Sequence, residues 1–229
     1  MKIVIQCAAR KRHDAGSFTT ADGRRVLFVG DPGAAPYEPG HVYARPDDVS
    51  DGGTSWRARL LDYNRNQADN PLGLLPAWEL YEHDTYGRLV REFGVERVFI
   101  LSAGWGLIPA TFLTPAYDIT FTASADEWKR RRKDDRYDDL SLMPDDGHAT
   151  VFLGGKEYQP LFRRLTEALG GTKIVFFRSA VPPDLPNGFV TVSYETTSRT
   201  NWHYECAQDL AAGRIAGLSS QDPASSMSK

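Results

Sequence analysis

The chain has 229 residues, 41% hydrophobic and 25% charged, which suits one substantial globular domain and excludes a disordered or low-complexity protein. A formal net charge of −3 supplies no global basic field, so any nucleic acid must be met by local positive charge. The two cysteines, Cys7 and Cys206, make neither a disulfide framework nor a metal-ligand spacing, and a reduced compartment is expected.

The apolar start is broken by Gln6 and followed by Arg10, Lys11 and Arg12. That is no secretory signal, and no segment has the length and apolarity of a membrane span; the expected location is the cytoplasm. Residues 2–6 carry the β-branched run Ile3-Val4-Ile5 and predict a core strand. Residues 13–53 are rich in Gly, Pro and Asp and read as a long insertion with one hairpin-like apolar run at 25–30.

Helices are predicted over 55–67 and 77–93, the second amphipathic through Trp78, Tyr81, Leu89 and Phe93 and stopped by Gly94. Residues 97–101 read as a strand buried on both faces, 102–122 as a Gly- and Pro-punctuated loop, and 126–136 as a charged helix. A strand at 149–153, the turn Gly154-Gly155, a helix at 157–169, strands at 173–177 and 189–193 and a helix at 202–215 complete the pattern. The Ser-rich residues 217–229 read as a disordered tail, leaving 1–216 as a single domain. Strands alternating with helices predict an α/β fold, a mostly parallel central sheet flanked by helices. Ligands bind such sheets outside the carboxyl ends of the strands. The loops concerned are 7–12, 102–122, 154–156 and 178–183 (the last opening with Arg178), with 197–205 ahead of the final helix.

Four constellations there bear on chemistry. Cys7-Ala8-Ala9-Arg10-Lys11-Arg12 joins small residues to cations that suit a phosphate, or is a solvated basic turn; Cys7 reads as a nucleophile or as a buried structural thiol. Ser102, Trp105, Gly106, Tyr117 and Asp118 lie in one loop. Breaking an N-glycosidic bond builds positive charge on the sugar, which a carboxylate such as Asp118 steadies, and Trp105 or Tyr117 could stack on an extruded base. The structural alternative puts Tyr117 in the core and makes Asp118 a turn cap. In 197–205, Asn201 and His203 could read a base edge or activate water and Glu205 could join them, or the segment only caps a helix, with Thr200 or Asn201 as N-cap. Trp128 followed by the cations 129–133 is a phosphate-binding helix face or simply a solvated one. Gly154-Gly155-Lys156 could hold an anion but lacks both the P-loop and dinucleotide patterns, and no cofactor or metal is called for.

The first strand ending in Cys7, Arg10 and Lys11, the segment from Leu101 to Ile108 with Tyr117-Asp118, and the run from Leu153 to Tyr158 together resemble the YaaA-like family of bacterial proteins. That family is associated with peroxide stress and DNA binding, and its fold is similar to uracil-DNA-glycosylase-type α/β domains. Related domains occur in the archaeosine-synthase branch of tRNA modification, and a further relative is an anti-phage glycosylase that excises glucosylated hydroxymethylcytosine. The resemblance implies Asp118 as the catalytic acid with Arg10, Ser102, Trp105 and Tyr117 around its pocket. The insertion 13–53 and the Asn201-Trp202-His203 segment depart from the family pattern, and the Asp-Pro-Tyr-His turn of ordinary uracil excision is absent.

The expected function is a DNA glycosylase that hydrolyses the bond to a modified base, glucosylated bases and anti-phage defence included. Its expected partner is double-stranded DNA with an extruded base; neither a membrane nor an obligate protein partner is called for. The alternatives are a DNA-binding stress protein without chemistry and a nucleoside N-glycosidase of small substrates.

Overall fold

The computed structural model describes residues 1–66, 69–132, 134–198, 200–215 and 217–218. Strand β1 (Lys2–Gln6) lies at the centre of the sheet because Ile3, Val4 and Ile5 are buried on both faces. Its parallel neighbours are β5 (Val98–Ser102) and β10 (Thr150–Leu153), and β11 (Lys173–Phe177) and β12 (Phe189–Ser193) continue the parallel run beyond β10. On the other side β6 (Gly106–Pro109) folds back antiparallel on β5, and the short β9 (Leu140–Ser141) pairs with β6. The order of the 7-stranded sheet is β12-β11-β10-β1-β5-β6-β9. The chain therefore reverses its direction of travel beside β1, the position at which open α/β sheets place their ligands.

The helices are α1 (Trp56–Asn66), α2 (Ala77–Leu80), α3 (Thr85–Phe93), α4 (Gln159–Thr166) and α5 (Trp202–Ala211). α3 packs on β5 and α5 on β10, and the two helices pack on each other. Phe162 of α4 stacks on Phe152 of β10 with ring centres 4.4 Å apart; each such fully buried ring contributes about 1.5–3 kcal/mol. The α/β class expected from the alternation is the observed one. Among the described residues no helix is long and apolar enough to cross a membrane.

The apolar run at 25–30 does turn back on the chain before it, with Thr19 bridging Arg25 antiparallel and Val26 N donating to Phe18 O. β2 (Arg25–Val29) also pairs in parallel with both β3 (His41–Ala44) and β8 (Tyr117–Asp118). This small sheet packs its Phe28 edge-on to Trp105 at 4.9 Å. Residues 77–93 do not form one helix. Tyr81 is extended between α2 and α3, because Arg12 N donates to Leu80 O and Lys11 bridges to Tyr81. Among the described residues of 126–136 there is no helix beyond the single 3-10 turn Glu127–Lys129. Thr120 N donates to Lys129 O and Arg131 N to Thr120 O, an extended pairing that draws Arg131 into the core.

The loop expected at 102–122 is in part structured, since β6 and β8 fall inside it together with β7 (Leu113–Thr114), which pairs with β4 (Leu75–Pro76). Of the expected tail, Leu218 packs on the core and its N–H donates to Ile215 O, while 219–229 lie outside the described residues.

Candidate functional site

The turn that follows β5 is held from behind by two buried arginines. Arg57 donates to Gly104 O at 2.9 Å and Trp105 O at 3.0 Å, and Arg131 donates to Ala103 O at 2.8 Å. Asp47 neutralises Arg57, and Asp139 meets Arg131 as a bidentate partner at 2.7 and 2.6 Å. Three consecutive carbonyls at the end of a central strand thus have charged donors, which makes the turn rigid. Its amides face inward: Gly104 N and Trp105 N donate to Ser102 Oγ at 3.2 and 3.1 Å.

Ser102 Oγ in turn donates to Tyr117 OH at 2.9 Å, and Tyr117 OH lies 2.7 Å from Tyr81 OH. Cys7 Sγ sits 3.2 Å from Tyr158 OH, and Gly155 N donates to Gln6 Oε1 at 2.7 Å. These last two contacts close the crevice between β1 and β10. Burial pushes Tyr81, Tyr117 and Tyr158 well above the usual phenol range, so each remains a hydroxyl donor at neutral pH.

What stays open lies on the β8 side of β1. A cleft of about 560 Å³ is lined by Arg10, Lys11, Arg25, His41, Tyr117 and Asp118, among others. Successive residues of a strand point to opposite faces, so β8 buries Tyr117 and turns Asp118 outward. The Asp118 side chain is 31% exposed, and its Oδ2 lies 3.2 Å from Lys129 Nζ. Lys129 also reaches Asp126 at 3.0 Å, so this ammonium is shared and the carboxylate keeps its other oxygen for a ligand.

Lys11 Nζ lies 4.3 Å from the centre of the Tyr117 ring and has no hydrogen-bond partner among the described residues. Burial lowers its pKa, while Cys7 and Asp118 pull it back up. Arg10 is exposed and makes no ion pair among the described residues, which leaves its guanidinium free to meet an anion.

A second cavity of about 510 Å³ adjoins the cleft and shares Ala9, Arg10 and Glu82 with it; Ala8, His83, Asn201 and Tyr204 complete its wall. Asn201 sits ahead of α5 in the left-handed region, φ 59°, and its side chain caps nothing. It holds the N-cap position expected of it, its carbonyl accepting from Tyr204 N at 2.9 Å, while the side-chain amide makes no cap hydrogen bond and is left for other partners.

The structure brings Arg10, Lys11, Tyr117 and Asp118 to one cleft and Asn201 to the cavity beside it. Cys7 and Ser102 lie beneath, in the hydroxyl and thiol cluster. Trp105 is corrected outright. It is 0% exposed and packs edge-on against Phe28 and Tyr117, so no base can reach it; Tyr117, 2% exposed, is likewise no stacking platform. Gly106 is structural: at φ 93° its absent Cβ makes room for the backbone of Leu140.

Gly154 and Gly155 are not on the cleft. A Cβ at Gly154 would collide with the Phe152 ring, and the Gly155 amide is taken by Gln6. Arg178 donates to Thr196 O, and Glu205 accepts from the hydroxyls of Thr196 and Ser198, tying down the loop before α5 rather than facing the cleft. His203 is buried at 4% exposure with Nε2 unpartnered among the described residues, and burial lowers its pKa to about 4. Within the cation run, Arg131 is an internal strut, Lys129 serves Asp118, Arg132 pairs with Glu127, and Lys133 lies outside the described residues. Arg199 of the segment before α5 does so too.

Sequence reasoning missed Arg25, His41, Glu82 and His83 as wall residues. The first two come from the insertion, whose proximity to β8 only strand pairing reveals. The other two occupy the break between α2 and α3, read as mid-helix. Among the described residues no group of three or more His, Cys, Asp or Glu side chains could hold a metal ion. Comparisons with protein-family models, with curated proteins and with solved structures find no match for this chain.

Proposed function

We propose that the protein hydrolyses the N-glycosidic bond of a modified base in DNA. One observation carries the reading: a half-exposed carboxylate, Asp118, stands in a cleft whose other ionic groups include the unpaired Arg10. The Arg10 guanidinium holds a phosphate of the strand, leaving the sugar toward Asp118. As the bond to the base lengthens, positive charge grows at C1′ and the ring oxygen, and the carboxylate stabilises it while water attacks the same carbon. The departing base takes the electron pair of the broken bond and a proton from solvent, and the attacking water returns one proton to solvent as it becomes the C1′ hydroxyl. Lys129 keeps Asp118 in place from the side away from the substrate. The motif likeness to the YaaA-like family and its uracil-DNA-glycosylase-type relatives adds to this reading.

The test is a panel of duplex and single-stranded DNAs carrying natural, glucosylated and otherwise modified bases, with matching RNAs and free nucleosides, assayed for released base. Release from DNA with an abasic site left behind supports the reading. Salt-sensitive DNA binding with no product from any substrate makes the protein a binder, and release from free nucleosides alone makes it a small-substrate N-glycosidase.

A further inference from the structure

The cavity beside the Asp118 cleft has a use the reaction above does not give it. His83 lies flat on Tyr204, ring centres 3.8 Å apart and planes at 13°. Tyr204 is anchored beneath, its OH 3.3 Å from Tyr86 OH, and Tyr86 OH donates to Gln6 O at the end of β1. The platform is thus built on a central strand. One face of His83 is covered by Tyr204, and the half-exposed ring forms part of the cavity wall.

Two polar groups on this wall are uncommitted. His83 Nδ1 accepts from Thr85 N at 3.3 Å and lies 3.4 Å from Asp84 Oδ1, which leaves Nε2 as the uncommitted nitrogen of the ring. Neither that nitrogen nor the Asn201 amide makes a hydrogen bond among the described residues. An amide offers two donors and an acceptor in one plane, the pattern that reads the edge of a base. Arg10 and Glu82 line both cavities, so one ligand can hold its phosphate and sugar in the first and a flat ring in the second.

We infer that this second cavity is the base subsite: a planar heteroaromatic ring stacks on the outer face of His83, and Asn201 reads its hydrogen-bonding edge. The inference deepens the glycosylase reading and rests on it for the identity of the ligand as a nucleotide. The volume of about 510 Å³ exceeds what an unmodified base fills, which leaves room for a substituent.

The experiment is calorimetric titration of the full chain with the four 2′-deoxynucleoside 5′-monophosphates and with 2-deoxyribose 5-phosphate, which has no base. At least one nucleotide is expected to bind more tightly than the sugar phosphate. His83→Ala weakens that nucleotide by about tenfold, in keeping with the usual worth of one base–aromatic stack, while leaving the sugar phosphate unchanged. His83→Phe, which keeps a flat ring, restores most of the affinity. Asn201→Gly removes the amide without straining the backbone, serves as a second variant and changes the preference among the four bases. Nucleotides binding no better than the sugar phosphate, or His83→Ala binding them as the unmodified protein does, overturns the subsite. Nucleotide binding through His83 together with no base release from any DNA leaves the subsite standing and removes the hydrolytic reading instead.

Discussion

Replacing Arg131 by Met separates the architecture described above from a solvated basic helix more sharply than any other single change. The Arg131 and Asp139 side chains are 2% and 1% exposed. The substitution removes a 2.8 Å bond to Ala103 O and two bonds to Asp139. Breaking a buried pair by deleting one partner costs about 3–5 kcal/mol, because the other charge stays buried. Arg164 still reaches Asp139 from a half-exposed position, which places the expected loss at the lower end, about 3 kcal/mol.

For a domain of this length each kcal/mol is worth about 2–4 °C, so the melting temperature falls by roughly 6–12 °C. Urea and thermal unfolding followed by far-ultraviolet circular dichroism measure it, with Arg132→Met as the control. Arg132 is exposed and meets Glu127 only at 3.5 Å, so its loss stays within about 0.5 kcal/mol. Adding Asp139→Leu to Arg131→Met recovers part of the loss by removing the stranded charge. If the two single variants melt together, Arg131 is no strut and the account of the turn after β5 fails.

Two further outcomes concern the same frame. Gly106→Ala places a Cβ against the Leu140 carbonyl at φ 93° and loses about 2–4 kcal/mol, read as a drop in the urea midpoint; an unshifted midpoint contradicts the pairing of β6 with β9. His203 has its folded pKa depressed from 6.5 to about 4, so between those values the unfolded chain binds the extra proton and the folded one does not. Its contribution is therefore complete above pH 6.5 and is lost as pH falls toward 4, roughly 3 kcal/mol in all. His203→Phe flattens that part of the stability-against-pH curve, and an unchanged slope refutes the assignment.

The periodicity of the chain reveals the sheet because its strands are buried on both faces: Ile3-Val4-Ile5 and Val98-Phe99-Ile100-Leu101 admit no other use. The position of Asp118 beside the loop of Arg10 and Lys11 was also legible, since both follow from the rule that ligands meet the carboxyl edge. Long-range pairing was not. Trp105 looks like a stacking ring until β2 is seen to bring Phe28 against it, and 126–136 scores as a helix until Thr120 pairs with its backbone. His83 fell within an apparently continuous helix that is interrupted by the pairing of Lys11 and Arg12 with residues 80 and 81. Local pattern carries no record of such partners.

Whether Asp118 drives base release is decided by the single-turnover rate at which enzyme in excess liberates a base from the responsive DNA of the panel, for the unmodified protein and for Asp118→Asn at equal DNA affinity. A fall of at least about a hundredfold is expected, with binding retained. An Asp118→Asn protein that frees the base at the original rate removes the carboxylate from the reaction.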